Sequence, residues 1–155
     1  MENYFLLPGN IYLTNNSTYI VTILGSCVAV CLWDEETKMG GMNHYLLPLW
    51  NGEGVPTPKY GNVAIPKLIG KFQDRGIEPK RLKAKIFGGA NLLSGQNKEK
   101  ISLIGERNIE IALEMLEKYK IPIISYDVGG NTGRKIIMNT YNFEIRLKRI
   151  GKEMS

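Results

Sequence analysis

Residues 22–48, TILGSCVAVCLWDEETKMGGMNHYLLP, contain both cysteines and the single histidine of the chain. Gly25-Ser26 is a turn signal, and the apolar run 28–33 that follows Cys27 reads as a strand. Polar residues 34–38 form a loop and 39–47 return, so the stretch is a β-hairpin. With the loop centred on Glu35-Glu36, cross-strand partners have numbers summing to 71, and Cys27 faces His44. Directly opposed residues hold their Cβ atoms roughly 4.5–5.5 Å apart, within reach of a sulfur–imidazole hydrogen bond. A loop longer by one residue sends His44 to the other face, whereas one longer by two keeps both on one face as diagonal neighbours. Each residue alone is commonly part of a core, free cysteine being among the most buried types. The register and the glycine-serine turn together point to a nucleophile–base dyad.

Around the hairpin the chain reads as mixed α+β layers. Residues 11–13 and 19–23 are short strands flanking the hairpin, separated by the turn-forming Thr14-Asn15-Asn16-Ser17. The Gly- and Pro-rich stretch 49–58 is irregular and, lying just after His44, is a candidate substrate loop. Ile65, Leu68, Ile69 and Phe72 have helical spacing, with Asn62 as cap, Pro66 in the first turn and Gly76 as terminator. A second helix runs from about 105 to 119 with Ile109, Ala112, Leu113 and Leu116 as its buried stripe. Strands at 82–87 and 121–128 each stop at paired glycines, a final hairpin pairs 135–139 with 143–148, and 152–155 is a tail. The run Gly129-Gly130-Asn131-Thr132-Gly133 imitates a phosphate cradle, but no helix follows it.

At 155 residues and 43% hydrophobic, with no linker-like stretch, residues 1–155 read as a single domain. The start MENYFLLP lacks a basic n-region, and no apolar run approaches a membrane span, so the expectation is a cytoplasmic protein without membrane insertion. Cys27 and Cys31 on one strand are too far apart for a disulfide, which fits a reducing compartment. One histidine and two cysteines lack the usual metal-ligand set, so no metal is expected. The net charge of +5 comes from scattered basic residues without interleaved aromatics, a solvated basic face rather than a nucleic-acid site.

LGSCVAVCLWD followed by GGMNHYLLP closely resembles the chemoreceptor glutamine deamidase family, CheD, which shares a G-S-C turn and a G-G/A-M-x-H segment at similar spacing. The resemblance continues in order through Lys59-Tyr60-Gly61, Lys85-Ile86-Phe87-Gly88-Gly89-Ala90, Ile104-Gly105-Glu106-Arg107-Asn108 and Asp127-Val128-Gly129-Gly130-Asn131. It implies a three-layer α/β/β sandwich with mixed, largely antiparallel sheets. It further implies a cofactor-free thiol hydrolase acting on glutamines in the cytoplasmic helical region of methyl-accepting chemotaxis receptors, with the signalling phosphatase CheC as a further partner. Cys27 is then the nucleophile and His44 its base. The family's third catalytic member is a threonine, matched here by Thr22. Thr22 stands one residue closer to the cysteine than in the family pattern, and such a slip changes faces on a strand.

Backbone N–H groups at Gly25-Ser26-Cys27 are the natural oxyanion donors, glycine allowing close approach of substrate. The same dyad has the chemistry for a side activity on γ-methyl esters. The contrasting reading is a non-catalytic adaptor that binds CheC or the receptor.

Overall fold

The computed structural model describes residues 1–92 and 98–151. The chain runs β1 (Glu2–Phe5), β2 (Ile11–Thr14), β3 (Thr18–Leu24), β4 (Val28–Asp34), β5 (Met39–Asn43) and α1 (Gly61–Gln73). A 3₁₀ turn at Pro79–Arg81 leads into β6 (Leu82–Gly88), α2 (Lys98–Lys118), β7 (Ile123–Val128), β8 (Gly133–Asn139) and β9 (Ile145–Ile150). The expected tail, 152–155, lies outside the described residues.

Strand β4 is apolar at odd and even positions alike, the pattern of a strand covered on both faces, and it is buried throughout. It lies at the centre of a five-stranded sheet ordered β2-β5-β4-β6-β7. Its even residues Val28, Val30 and Leu32 pack with Leu68, Ile69 and Phe72 of α1 and Ala112 and Leu116 of α2. Its odd residues Ala29, Cys31 and Trp33 pack instead with Ile20, Leu24, Ile136 and Met138 of a second, four-stranded sheet ordered β1-β3-β8-β9. Helices, five-stranded sheet and four-stranded sheet thus form the α/β/β sandwich. Only β1–β3 and β6–β7 are parallel pairs.

Several sequence expectations are corrected. The 19–23 strand does not flank the hairpin: β3 belongs to the other sheet, paired with β1 and β8. β1 was invisible to a periodicity reading because all four of its residues are exposed. Helix α1 begins after Tyr60 without a side-chain cap, and Asn62 instead accepts the Trp50 N–H at 2.8 Å. Pro66 consequently falls in the second turn of the helix. Helix α2 starts earlier than expected, and its buried positions include Asn108 and Ile111, whereas Leu113 is exposed. Phe143 sits in the turn before β9 with φ 65°, not in the strand.

The hairpin register is also corrected, from an index sum of 71 to 73, as in Cys31 opposite Met42. Asp34 explains the difference. Its carboxylate accepts the Thr37 N–H at 3.1 Å and the Thr37 hydroxyl at 2.6 Å, its carbonyl accepts the Lys38 N–H at 2.9 Å, and Lys38 closes the turn with φ 61°. The loop is therefore four residues, 35–38, and the shift of two preserves which face each residue takes. Arg81 clamps the same carboxylate through Nε at 3.2 Å and Nη2 at 2.6 Å. Asp34→Ala strands the Thr37 N–H and leaves Arg81 only its pairing with Glu36, and is expected to lower unfolding free energy by about 1–3 kcal/mol in denaturant titration.

Candidate active site

Cys27 and His44 lie just beyond the paired ends of β4 and β5, on either side of an isolated bridge between Val28 and Tyr45. Val28 N–H donates to Tyr45 O at 3.2 Å and Tyr45 N–H to Val28 O at 3.0 Å. Since Val28 and Tyr45 turn toward the helices, Cys27 and His44 turn the other way, into the layer between the sheets. The index sum of 73 makes them diagonal neighbours. Asn43 loosens the ladder here: the Val30 N–H donates to Asn43 Oδ1 at 2.8 Å instead of to a main-chain carbonyl. The His44 carbonyl accepts the Gly9 N–H at 2.7 Å.

Thr22 reaches His44 from the opposing sheet. Its Oγ1 is 2.8 Å from Leu6 O and 2.7 Å from His44 Nδ1, with both residues buried. A carbonyl only accepts, so the single hydroxyl proton goes to Leu6 O and the oxygen must accept from Nδ1–H. That fixes the tautomer: Nδ1 carries the proton and Nε2 is left with a lone pair. Nε2 is buried and has no hydrogen-bond partner among the described residues, Cys27 included. The shortened spacing from Thr22 to Cys27 does not change faces, because turn 25–27 carries the chain from one sheet to the other and resets the alternation.

Electrostatics keep the pair neutral at rest. Burial pushes the His44 imidazole down to about 4, and burial raises the Cys27 thiol, its own backbone N–H offsetting part of that rise. Cys31 is fully buried and its thiol is raised much further, with Lys85 opposing weakly. Cys27, by contrast, is partly exposed.

The turn is held by its carbonyls. Gly25 O accepts from Ala90 N–H at 3.0 Å, Cys27 O from Gly89 N–H at 2.9 Å, and Ser26 O from Asn108 Nδ2 at 3.0 Å. The Ser26 N–H donates to no carbonyl or side chain among the described residues, and the Cys27 N–H faces its own sulfur. Gly88 has φ +109°, and a Cβ there would lie 2.1 Å from Cys27 O, so only glycine lets β6 pass under the turn. Asn108 is the residue supporting the site to which sequence reasoning gave no role. Its Nδ2 also donates to Leu46 O at 3.0 Å, and its carbonyl accepts the Tyr45 hydroxyl at 2.5 Å, tying the cysteine turn to the histidine segment. Its signals were its place at the end of the resembling run Ile104-Gly105-Glu106-Arg107-Asn108 and its polarity on the apolar stripe of α2. At the start of the 49–58 loop, Pro48 and Leu49 share a hollow with Arg107, Glu110 and Glu114 of α2. No cluster of ligating side chains suited to a metal occurs among the described residues.

An α/β/β sandwich that gathers a thiol, an imidazole and a hydroxyl between its two sheets is the class defined by this fold and site. The family model described as "CheD chemotactic sensory transduction" matches residues 46–149, and the chain belongs to the CheD family. A protein of Trichlorobacter lovleyi named probable chemoreceptor glutamine deamidase CheD is 49% identical over 155 residues, covering 100% of this chain and 94% of the relative. One of the same name from Sulfurimonas denitrificans is 42% identical over 153 residues, covering 97% and 96%. Among solved structures, the Bacillus licheniformis hypothetical protein YfiH superposes with a TM-score of 0.51 at 16% identity. That match covers 76% of this chain and 50% of the other, and shows a shared fold.

Three outcomes are expected. Limiting iodoacetamide labels Cys27 before Cys31 in the folded protein, and the rate keeps rising above pH 9.0, because burial holds the thiol above its ordinary value. Peptide mapping across pH reads both. Asn108→Ala releases the turn and the histidine segment together, and should lower stability by about 1–3 kcal/mol and slow Cys27 labelling. His44 is held below its ordinary 6.5 at about 4, so the unfolded chain takes up the proton first as pH falls. Stability associated with the neutral imidazole is present above pH 6.5 and is lost progressively down to about pH 4. His44→Gln should flatten the melting-temperature profile across that window.

Proposed function

We propose that this chain is a protein-glutamine deamidase that converts glutamine side chains in the cytoplasmic helical region of methyl-accepting chemotaxis receptors into glutamate, releasing ammonia. The observation that carries this reading is the Thr22 hydroxyl held between Leu6 O and His44 Nδ1, which orients an imidazole with a free Nε2 lone pair beside a thiol. The names of the relatives supply the substrate class.

His44 Nε2 takes the Cys27 proton as the sulfur attacks the side-chain carboxamide carbon of glutamine, so charge develops only once substrate is present. A neutral resting pair suits this order, since neither group is charged before substrate seals the site from water. Backbone N–H groups of Ser26 and Cys27 receive the oxyanion, with Gly25 leaving room for the approaching chain. The imidazolium Nε2–H then protonates the departing nitrogen, ammonia leaves, and a thioester remains on Cys27. Neutral His44 next deprotonates a water, which adds to the thioester carbon. Collapse returns the proton to sulfur and frees the glutamate. Thr22 holds the imidazole in one tautomer through both halves of the cycle.

A γ-methyl ester presents the same carbonyl with methanol as leaving group, so slow methylesterase action accompanies this chemistry. CheC is the regulatory partner that this reading brings with it, and the cytoplasm is the place where both partners meet the enzyme.

Intact-mass spectrometry of a receptor fragment tests the reading, since each amide converted to acid adds about one mass unit. The wild-type protein is expected to shift the fragment and Cys27→Ala to leave it unchanged while still binding it. His44→Ala should reduce turnover by roughly 10²–10⁴-fold and, because the imidazole is buried against Thr22, also lower the melting temperature, so turnover is read below that temperature; Thr22→Ala should give a smaller loss of turnover. An active Cys27→Ala protein overturns the proposal, and a Thr22→Ala protein of wild-type rate removes the threonine from the mechanism.

A further inference from the structure

The four-stranded sheet has an outer face that the core does not use. Register puts Phe5, Val21, Ile137 and Arg146 in one row across it and Ile23, Lys135 and Lys148 in the next. Ile23 is 46% exposed and Phe5 51%, high for residues on a sheet face. Lys135, Arg146 and Lys148 have no ion-pair partner among the described residues, and no strand position on this face carries a carboxylate. The result is an apolar strip edged by three like charges. At one end of the strip an apolar hollow of about 160 Å³ is walled by Ile23, Leu24, Gly25, Leu92 and Ile150, and Gly25 is two residues from Cys27.

We propose that this face is the docking surface for the substrate protein, and that it takes an amphipathic helix whose apolar stripe is flanked by carboxylates. The helix lies over Val21 and Ile137, pairs its acids with Lys135, Arg146 and Lys148, and reaches past Ile23 to the hollow at Gly25, where the turn that carries Cys27 begins. The charge of the face selects an anionic partner. The state of the backbone selects a helix. Strands β3 and β8 are each paired on both sides, so the face offers side chains and no free main-chain groups. An extended segment laid on it would bury its own N–H and C=O groups without partners, whereas a helix satisfies them internally. Continuity of the strip with the hollow at Gly25 favours a protein substrate over an anionic bilayer, which would meet the cations but bring no amide to the thiol.

The inference rests on the deamidase reading for the identity of the partner, and the experiment separates the two. Binding is measured by fluorescence anisotropy of a labelled cytoplasmic chemoreceptor fragment with the full-length Cys27→Ala protein, which removes turnover, and deamidation by intact mass with Cys27 present. Lys135→Glu/Arg146→Glu/Lys148→Glu is expected to weaken binding about tenfold or more at low salt, an effect that shrinks as salt is added. In the active background the loss should fall on KM, with iodoacetamide labelling of Cys27 unchanged. The corresponding triple glutamine variant gives the same direction with a milder perturbation, should the reversed one fold poorly. Equal fragment binding by parent and variants overturns the proposal. So does fragment binding that survives while binding to phosphatidylserine vesicles is lost, which makes the face a membrane surface. Weakened fragment binding with no mass shift from the parent protein sinks the deamidase reading and leaves the docking face standing.

Discussion

One proton on one hydroxyl organises the space between the two sheets. Thr22 can donate only once, and Leu6 O takes that donation, so the oxygen faces His44 as an acceptor. The imidazole is thereby turned with its other nitrogen free, although it sits where a buried polar atom without a partner is disfavoured. Leu6 is itself fixed by its N–H to Val21 O at 2.8 Å, so the chain after β1 is more than a decoration at the sheet edge. It supplies the carbonyl that determines which way the threonine proton points.

A second set of bonds supports the thiol from the far side of the molecule. Asp127 joins Arg134 Nε at 2.7 Å and Arg149 Nη2 at 2.7 Å, and its carboxyl is held below its usual range first by the bond to Arg149. Arg134, almost wholly buried, also donates from Nη2 to Gly129 O at 2.6 Å. Gly129 N–H then meets Gly88 O at 2.9 Å, Asn91 N–H meets Gly130 O at 2.9 Å, and the 88–90 segment holds the carbonyls of Gly25 and Cys27. Both glycine pairs, which end β6 and β7, therefore serve one turn. Its carbonyls are thus tied down, and the Ser26 N–H has no competing acceptor among the described residues.

Much of this was legible in the sequence, and what was not has physical causes. The side-chain period of two put Cys27 and His44 on one face, and that parity survived an error of two in the loop centre, since Asp34 stabilises a four-residue turn that no count of polar residues distinguishes from a shorter one. Alternation in 19–23 showed a half-buried strand but could not say which sheet buries it. That is why Thr22 was placed beside the hairpin rather than across from it. β1 has no buried side chain to betray it and is held by main-chain pairing with β3 and by the stacking of Tyr4 on Tyr12. Asn108 interrupts an apolar helical stripe, and its function is a matter of where two carbonyls from distant segments converge, which no local pattern encodes.

His44 is the only histidine in the chain and lies in the layer between the sheets. Every imidazole resonance of the protein therefore arises from the candidate site. Nitrogen chemical shifts distinguish a protonated from an unprotonated ring nitrogen, so a spectrum of protein labelled at histidine reads the tautomer directly, without assignment. Change at Thr22, Cys27 or a bound partner becomes visible in a single spin system. The placement that makes the imidazole hard for solvent to reach also makes it a built-in spectroscopic reporter.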